Sequence, residues 1–315
     1  MPAAQPPAGV VAGVVAFRPR PRELERIVDA LAADAPVLVY RNSVLTPGVE
    51  RELSRRHGPR LAFIGTGVNL GLGAAYNVLA HAAAGCGAAR LVLFDQDSAP
   101  GPGLVPALAA CMDDLVAAGH RPAAVGPVPQ AADERHAKTP RMVERRGMPP
   151  HDGARPVEFL ISSGCLIELD ALRAVGGFRE DFFIDAIDIE WCLRAWHAGY
   201  SCWLATGARM PHRLGAGVMR IPLLGVNLVR QPPVRIYTFL RNQLAMLRLG
   251  PVGWRWKARA VPRLLVHSAA QVWVATDRSA MLRSVVAGWR DGLRGHLGAP
   301  PQLQRPVQEP ATGDA

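Results

Sequence analysis

Apolar runs and amphipathic segments alternate through the first third of the chain. Residues 10–17, VVAGVVAF, form a continuous apolar run that is typical of a strand buried on both faces of a sheet. In residues 23–33 the apolar side chains recur at helical spacing, which predicts an amphipathic helix. Further apolar runs predict strands at 36–40, 60–64 and 91–94. Because strands and helices alternate, we expect an α/β fold with a mostly parallel central sheet.

The middle of the chain continues this alternation less regularly. Its pattern predicts helices at 78–84, 104–118 and 169–175 and strands at 123–127, 158–167 and 200–204. Ile189, Leu193 and Trp196 form the apolar stripe of one more helix, which we expect to end near Gly199. Residues 130–155 are polar and rich in Arg and Pro, which indicates a surface loop or a β excursion.

The pattern changes after Gly215, where arginines alternate with apolar and aromatic residues. Helices are predicted there at 234–248, 254–266 and 271–296. We therefore expect four parts, which are a disordered tail at 1–9, an α/β catalytic domain at 10–220, a basic helical C-terminal region at 221–299 and a second disordered tail at 300–315.

Positive charge is concentrated in the C-terminal third. Residues 216–315 carry 14 basic and 4 acidic residues, which accounts for the net charge of +10 of the whole chain. This imbalance predicts an anionic partner, and Trp254 and Trp256 among arginines are typical of a helix lying on an anionic membrane surface. An ordinary amphipathic helix packed on the core remains an alternative. We expect no nucleic-acid binding, because the motifs of nucleic-acid-binding folds are absent.

The cysteines and the start of the chain bear on its compartment. The five cysteines include no C-x-x-C pair, which argues against a disulfide framework or a zinc site and fits a reducing compartment. No basic, apolar leader is evident before the first predicted strand. We therefore expect a cytoplasmic protein, peripheral at the inner face of the plasma membrane.

Two aspartates follow the strand predicted at residues 91–94. Asp95 and Asp97 are separated by Gln96, so in an extended chain their side chains point the same way. Ligands of open α/β sheets collect at the carboxyl ends of strands, and paired carboxylates there suit Mg²⁺ or Mn²⁺. The alternative is a strand that ends in a solvated acidic turn.

Two further segments carry candidate chemistry. Gly71 and Gly73 open a helix, where glycines let a backbone approach a ligand or turn sharply. They imitate the dinucleotide-binding G-x-G-x-x-G motif, although Tyr76 replaces the third glycine. Asp185 and Asp188 resemble a capping box, which would place Asp188 in the first turn of a helix whose positive end keeps it ionised.

Taken in order, these motifs resemble one enzyme family. The chain carries N-x-G-x-G-x-A-x-N at 69–77, D-x-D at 95–97, S-G-x-x-I at 163–167, G-G-F at 176–178 and D-x-E-W-C-L-R at 188–194, with a later H-R-L-G. This series is similar to that of family 2 glycosyltransferases of the GT-A fold. The FFIDAIDIEWCLR segment and a downstream R-x-Y-x-x-x-R-N stretch narrow the resemblance to bacterial rhamnosyltransferases.

The resemblance implies a GT-A (nucleotide-diphospho-sugar transferase) fold with a C-terminal helical extension, and it implies roles for individual residues. Asp97, His212 and Asp95 match the metal site, and Asp188 matches the general base of inverting members. The donor-binding positions that it implies are Asn42, Ser43, Asn69, Gly71, Gly73, Asn77, Asp95 and Gln96. The acceptor-binding positions are Ser163, Gly164, Asp185, Glu190 and Trp191. Arg194 and Arg213 are left as diphosphate-facing or structural, and Glu190 as either a support for Asp188 or a partner of an arginine.

The implied reaction is the inverting transfer of a sugar from a nucleotide-sugar donor to a polyprenyl-linked or polysaccharide acceptor, with Mg²⁺ or Mn²⁺ as cofactor. One departure concerns the donor, because the second strand ends Tyr40-Arg41-Asn42-Ser43 and lacks the family's usual acid. The donor implied is dTDP-L-rhamnose, and UDP-sugars including galactofuranose stay open. Two other classes also stay open, namely a dinucleotide-dependent oxidoreductase and a catalytically dead peripheral membrane protein.

Overall fold

The structure is a computed structural model of the 315-residue chain. It describes residues 9–131, 142–212, 218–221, 226–229, 231–300 and 303, with only the backbone path at 218–221 and 226–229. Arg213 and nearly all of both predicted tails lie outside the described residues.

An eight-stranded sheet forms the centre of the fold, in the order β3-β2-β1-β4-β7-β5-β8-β6. The strands are β1 (Val10–Ala16), β2 (Val37–Arg41), β3 (Leu61–Ile64), β4 (Arg90–Asp95), β5 (Pro122–Ala131), β6 (Ala154–Pro156), β7 (Cys165–Glu168) and β8 (Ser201–His212). Strands β7 and β6 run against their neighbours and the other six run in one direction. The predicted mostly parallel sheet is therefore confirmed. A separate hairpin pairs β9 (Val218–Ile221) with β10 (Val226–Val229).

Helices cover both faces of the sheet. They are α1 (Pro21–Asp34), α2 (Val49–His57), α3 (Leu72–Gly85), α4 (Leu104–Ala117), α5 (Leu169–Val175), α6 (Ile187–His197), α7 (Pro233–Met246), α8 (Trp254–Val274) and α9 (Arg278–Arg294). One apolar cluster lies between the sheet and α1, α2 and α4, and a second lies between the sheet and α3, α5 and α6. Side chains of β1 alternate between the two clusters, as expected for a central strand covered on both faces.

Several elements differ from the sequence-based expectations, among them the following three. Helix α2 was not predicted, because it buries only Leu53 and so shows no apolar stripe. The strand expected at 158–167 is limited to β7, since Gly164 adopts φ +81° and turns the chain just before it. Strand β8 continues to His212 through the segment that was expected to be a loop, because it pairs along its length with β5.

The three C-terminal helices pack together on the α/β part. Helix α9 is separated from α8 by a short break in which Asp277 accepts a hydrogen bond from the Ala280 N–H at 2.9 Å, an N-cap that starts the new helix. The Tyr237 hydroxyl on α7 donates to Asp291 on α9 at 2.9 Å. Within the described ranges, no helix is long and apolar enough to cross a membrane.

The start of α3 lies against the backbone of residues 179–183. The Leu72 N–H donates to the Phe183 carbonyl oxygen at 2.6 Å. A Cβ added at Gly73 would lie 2.2 Å from the Arg179 carbonyl oxygen, and one at Gly71 would lie 2.6 Å from the Phe183 oxygen. These two glycines are therefore explained by close approach to another backbone segment of the protein.

We predict that Gly73→Ala lowers the free energy of unfolding by about 1–3 kcal/mol, because the new methyl group overlaps a backbone carbonyl. Gly85→Ala, at the last residue of the same helix and with no atom within 4 Å of the new Cβ, is the matched control. It should be neutral or slightly stabilising. Urea denaturation of both variants measures this difference, and equal midpoints would contradict the close packing.

Candidate active site

The carboxyl ends of the parallel strands bring several predicted residues to one edge of the sheet. Asp95 is the last residue of β4 and His212 is the last residue of β8, and both strands run in the same direction. Gln96 is held in place by the end of β1, since its amide accepts from the Phe17 N–H at 2.7 Å and donates to the Phe17 carbonyl at 3.1 Å. This tie fixes the backbone that carries the two aspartates.

The two aspartates of the D-x-D motif have different surroundings. Asp97 is exposed, whereas Asp95 is half-buried. Burial, together with the nearby negative charges of Asp97 and Asp188, raises the pKa of Asp95 to about 7. Negative charges placed this close to a buried carboxylate mark a place where a cation would be stabilised.

His212 is half-buried near Asp97. Burial lowers the pKa of His212, while the charge of Asp97 acts in the opposite direction. The imidazole is therefore neutral at physiological pH, which is the form that binds a metal. In the described part of the chain, no three His, Cys, Asp or Glu side chains are grouped closely enough to hold a metal ion without further ligands.

Asp188 lies in the first turn of α6 and is fixed by backbone donors. The Ser162 N–H donates to its Oδ2 at 3.1 Å and the Ile189 N–H donates to its Oδ1 at 2.9 Å. Burial raises the pKa of Asp188, and these two hydrogen bonds partly oppose that shift. A half-buried carboxylate held in this way has a defined orientation and a raised affinity for a proton.

The backbone before Asp188 has a conformation that few residues other than glycine adopt. Phe183, Asp185 and Ala186 all have positive φ, at 63°, 72° and 63°. The expected capping box is wrong, because the N-cap of α6 is Ala186 and it makes no side-chain cap. Asp185 instead accepts from the Arg235 guanidinium and from the Thr238 hydroxyl, both on α7.

Two buried polar side chains of α7 hold the same segment. The Asn242 amide donates to the carbonyl oxygens of Phe182, Ile184 and Asp185 at 3.0, 2.7 and 2.9 Å. The Arg241 guanidinium donates to the Phe182 oxygen at 3.0 Å. Both side chains are fully buried. A buried carbonyl oxygen that loses its donor lowers the free energy of unfolding.

Three residues expected near the acceptor or diphosphate are engaged inside the protein. The buried Glu190 carboxylate forms an ion pair with Arg194 at 2.8 Å. Arg194 also donates to the carbonyl oxygens of residues 175–177, and the Trp191 indole N–H donates to the Gly176 oxygen at 3.0 Å. In this structure Arg194 is therefore structural, and Glu190 is the partner of an arginine. This placement gives no support to the predicted contacts of Glu190 and Trp191 with an acceptor.

Ser163 and Gly164 also have internal partners. The buried Ser163 hydroxyl lies 2.5 Å from that of Ser98, which follows the D-x-D motif. The Gly164 N–H donates to the Leu93 carbonyl oxygen on β4 at 2.7 Å. Both residues thus hold the 162–164 loop against the strand that carries Asp95, and neither presents a polar side chain to an acceptor.

The asparagines and the serine assigned to the donor make internal hydrogen bonds, and residues 42 and 43 lie next to one cavity. Asn42 accepts from the Leu70 N–H at 2.9 Å, Asn69 from the Gly71 N–H at 3.0 Å, and Ser43 from the Arg18 N–H at 2.7 Å. Asn77 makes two hydrogen bonds with the Phe178 backbone. The neighbouring cavity has a volume of about 560 Å³. Its lining residues include Arg41, Thr46, Glu50, Arg51, Ser54 and Thr66.

The structure brings in residues that the site predictions did not include. Arg235, Thr238, Arg241 and Asn242 lie on α7, about 50 residues beyond the segment that they contact. The R-x-Y-x-x-x-R-N stretch was a sequence signal for three of them, but spacing alone gives no partner across such a distance. Tyr76 was also not assigned, and its fully buried hydroxyl has no hydrogen-bond partner among the described residues.

The sheet order, its helices and the acids at one edge define a fold of the GT-A glycosyltransferase class. The chain aligns with TarS of S. aureus with a TM-score of 0.57 and 12% identity, over 93% of this chain and 50% of TarS. It also aligns with the mannosyltransferase PcManGT from Pyrobaculum calidifontis, in complex with GDP-Man and Mn²⁺, with a TM-score of 0.57 and 14% identity. That alignment covers 93% of this chain and 89% of PcManGT. The GT-A fold expected from the sequence is confirmed.

The sequence comparison adds a particular relative. The chain is 25% identical over 297 residues to the dTDP-rhamnosyl transferase RfbF of Shigella flexneri. The alignment covers 92% of this chain and 97% of that protein. No family model matches the chain. The resemblance to GT-A glycosyltransferases, and among them to a rhamnosyltransferase, is confirmed.

We predict that Asn242→Ala lowers the free energy of unfolding by about 1–3 kcal/mol and also lowers kcat, because three carbonyls before Asp188 lose their donor. Gln243→Ala is the matched control, since Gln243 is equally buried but bonds Arg263. It should leave kcat unchanged. Thermal unfolding and steady-state turnover measure the two effects. A normal kcat in Asn242→Ala would show that α7 does not position Asp188.

Proposed function

We propose that this protein is an inverting glycosyltransferase that moves L-rhamnose from dTDP-L-rhamnose to a saccharide or lipid-linked acceptor in cell-surface polysaccharide synthesis. The observation that carries this proposal is the placement of the Asp188 carboxylate. Two backbone N–H groups orient it, and it lies near the acids at the end of β4. The relative named as a dTDP-rhamnosyl transferase supports the choice of donor.

The residues at the sheet edge fit a divalent metal. Asp97 supplies an exposed carboxylate, His212 supplies a neutral imidazole near it, and Asp95 adds a second acid. Two protein ligands would leave coordination positions for the oxygens of a diphosphate. When bound, Mg²⁺ or Mn²⁺ would neutralise the charge that develops on the departing nucleotide.

Asp188 acts as the general base. Its carboxylate accepts the proton of an acceptor hydroxyl while that oxygen attacks the anomeric carbon of the donor sugar. A single displacement of this kind inverts the configuration, because the bond to the nucleotide breaks on the opposite face of the sugar. The raised pKa of Asp188 increases its affinity for the proton that it must accept.

The cavity beside Asn42 and Ser43 supports a site for the nucleoside. It lies beyond the carboxyl ends of β2 and β3, and its volume of about 560 Å³ falls in the range of small-molecule sites. Arg41 pairs with Glu50 at 3.3 Å, and its buried Nε has no hydrogen-bond partner within the described ranges. The second strand lacks the family's usual acid, for which Asn42 or Ser43 is the proposed substitute, and UDP-sugars, including UDP-galactofuranose, are the alternative donors.

The oxidoreductase alternative is disfavoured by the packing of the glycine-rich segment. Gly71 and Gly73 face the protein backbone at residues 179–183, which occupies the space that a dinucleotide pyrophosphate would need. The alternative of a catalytically dead protein leaves the oriented Asp188 and the paired aspartates without a role.

The basic C-terminal region is proposed to bind an anionic membrane surface at the cytoplasmic face, where a polyprenyl-linked acceptor would lie. Helix α8 buries the polar Ser268 and Gln271 but exposes a row of apolar residues. These are Trp254, Val261, Leu265, Val266 and Trp273. The helix carries three arginines and one lysine and no acidic residue, so its own charged side chains are all positive.

We predict nucleotide release from dTDP-L-rhamnose by the wild-type protein, given a saccharide acceptor and Mn²⁺, at a rate above that from UDP- or GDP-sugars. Asp188→Asn should lower kcat at least about a hundredfold and leave nucleotide-sugar affinity intact, because only proton transfer is lost. Asp170→Asn, an exposed aspartate on α5, is the control.

The pH profile provides a second readout of the same assignment. The base works only when ionised, and burial raises the pKa of Asp188. Activity should therefore rise with pH along a limb whose midpoint lies above the usual range of an aspartate. Near-normal turnover in Asp188→Asn would refute the assignment of the base, whereas a faster reaction with UDP-sugars would correct only the donor.

We predict that His212→Ala and Asp97→Asn each raise the Mn²⁺ concentration that gives half-maximal activity by at least about tenfold, because each removes a metal ligand. His81→Ala, at an exposed histidine of α3, should leave this concentration unchanged. Titration of metal into chelator-treated protein gives the measurement. Full activity in the presence of excess chelator would contradict metal dependence.

We predict that the Leu265→Glu/Val266→Glu variant loses at least about tenfold in affinity for phosphatidylglycerol vesicles, because two exposed apolar side chains become charged. Val116→Glu, at an exposed valine of α4, is the control. Vesicle co-sedimentation measures both. Equal binding by the double variant and the wild type would exclude α8 as the docking surface.

A further inference from the structure

Arg235 belongs to the C-terminal region, yet its side chain reaches the acids of the α/β part. It lies in the first turn of α7, and its Nη2 and Nε donate to the two oxygens of Asp185 at 2.6 and 3.2 Å. The Asp185 side chain is 9% exposed, whereas that of Arg235 is 42% exposed. In this ion pair the carboxylate is therefore nearly buried, and the arginine side chain is partly exposed to solvent.

The third nitrogen of Arg235 is available to a ligand. Its Nη1 makes no hydrogen bond to any residue that the structure describes, whereas Nε and Nη2 are both used by Asp185. The guanidinium also lies close enough to Asp95 for their charges to interact. Arg235 is thus located between the segment before α6 and the end of β4.

The charges around Arg235 indicate what this nitrogen would contact. Asp95, Asp97, Asp185 and Asp188 converge on one region, and a diphosphate that enters it would be repelled. Asp185 engages only Nε and Nη2 of the guanidinium, so the N–H groups of Nη1 are left for a ligand. Guanidinium N–H groups match phosphate oxygens in geometry and charge.

We propose that Arg235 is a donor-binding residue, whose free Nη1 contacts a phosphate oxygen of the nucleotide diphosphate while Asp185 holds the other two nitrogens in place. This inference rests on the proposed nucleotide-sugar donor and adds to it a residue from the C-terminal region. It makes α7 part of the active site, because that helix then both holds the segment before Asp188 and supplies a cation for the leaving group.

The rival explanation is that Arg235 only tethers α7 to Asp185. Thr238 provides the test, since its hydroxyl donates to the same Asp185 carboxylate but carries no charge. Thr238→Val weakens the tether and leaves the guanidinium in place. Arg235→Gln keeps an amide donor for Asp185 and removes the charge, so it remains informative if the larger change in Arg235→Met prevents folding.

The experiment is calorimetric titration of dTDP, UDP and GDP, each with Mn²⁺, into the wild type and the variants. The nucleotide that binds the wild type best is then compared with its own monophosphate. Arg235→Gln and Arg235→Met should bind the diphosphate about 10- to 100-fold more weakly, because a hydrogen bond between charged groups is lost. Thr238→Val should lose much less affinity than either Arg235 variant, and Arg283→Met, at an exposed arginine of α9, should bind the diphosphate as the wild type does.

The outcomes separate this inference from the proposed function. If the wild type binds a diphosphate and the Arg235 variants bind it equally well, the inference is overturned and the proposed function stands. An equal loss in Thr238→Val would likewise overturn it in favour of a tether. If the wild type binds none of the three diphosphates, the proposed donor class and the inference both fail.

Discussion

The arrangement of this site depends on one backbone segment that is held from two sides. This segment comprises residues 176–186, and near its end Phe183, Asp185 and Ala186 adopt the left-handed backbone conformation. For residues other than glycine this conformation costs about 1–3 kcal/mol each. On one side the start of α3 packs against the segment at Gly71 and Gly73. On the other, Asn242 of α7 bonds three of its carbonyl oxygens. These contacts offset the strain, and the strained turn in turn delivers Asp188 to the end of β4.

This constraint gives the C-terminal helices a role within the catalytic part of the molecule. Helix α7 supplies Arg235, Arg241 and Asn242 to the segment before α6, and α9 packs on α7 through the bond between Tyr237 and Asp291. Helix α8 lies at the outside of this group with its apolar face exposed. The same region therefore holds the segment before α6 and also carries the exposed apolar residues of α8.

Electrostatic repulsion between carboxylates is a shared property of the residues at the sheet edge. Burial and the charges of Asp97 and Asp188 raise the pKa of Asp95, and the Arg235 guanidinium acts in the opposite direction. A divalent metal and a guanidinium are groups whose positive charge would offset the repulsion of a diphosphate. Many of the other predicted site residues, such as Glu190 with Arg194 and Ser163 with Ser98, hold loops in place and are themselves satisfied internally.

The sequence alone determined the alternation of strands and helices, because the spacing of apolar side chains within each segment sets its secondary structure. That alternation also predicts the parallel sheet and the edge where Asp95 and Asp97 lie. It did not determine α2, whose single buried Leu53 leaves no periodic signal, or the continuation of β8 to His212, which depends on pairing with β5. The left-handed turn at residues 183–186 and the contact of Arg235 with Asp185 were decided only by the tertiary structure. Both arise from hydrogen bonds between segments about 50 residues apart, and no local pattern of polarity encodes such a partner.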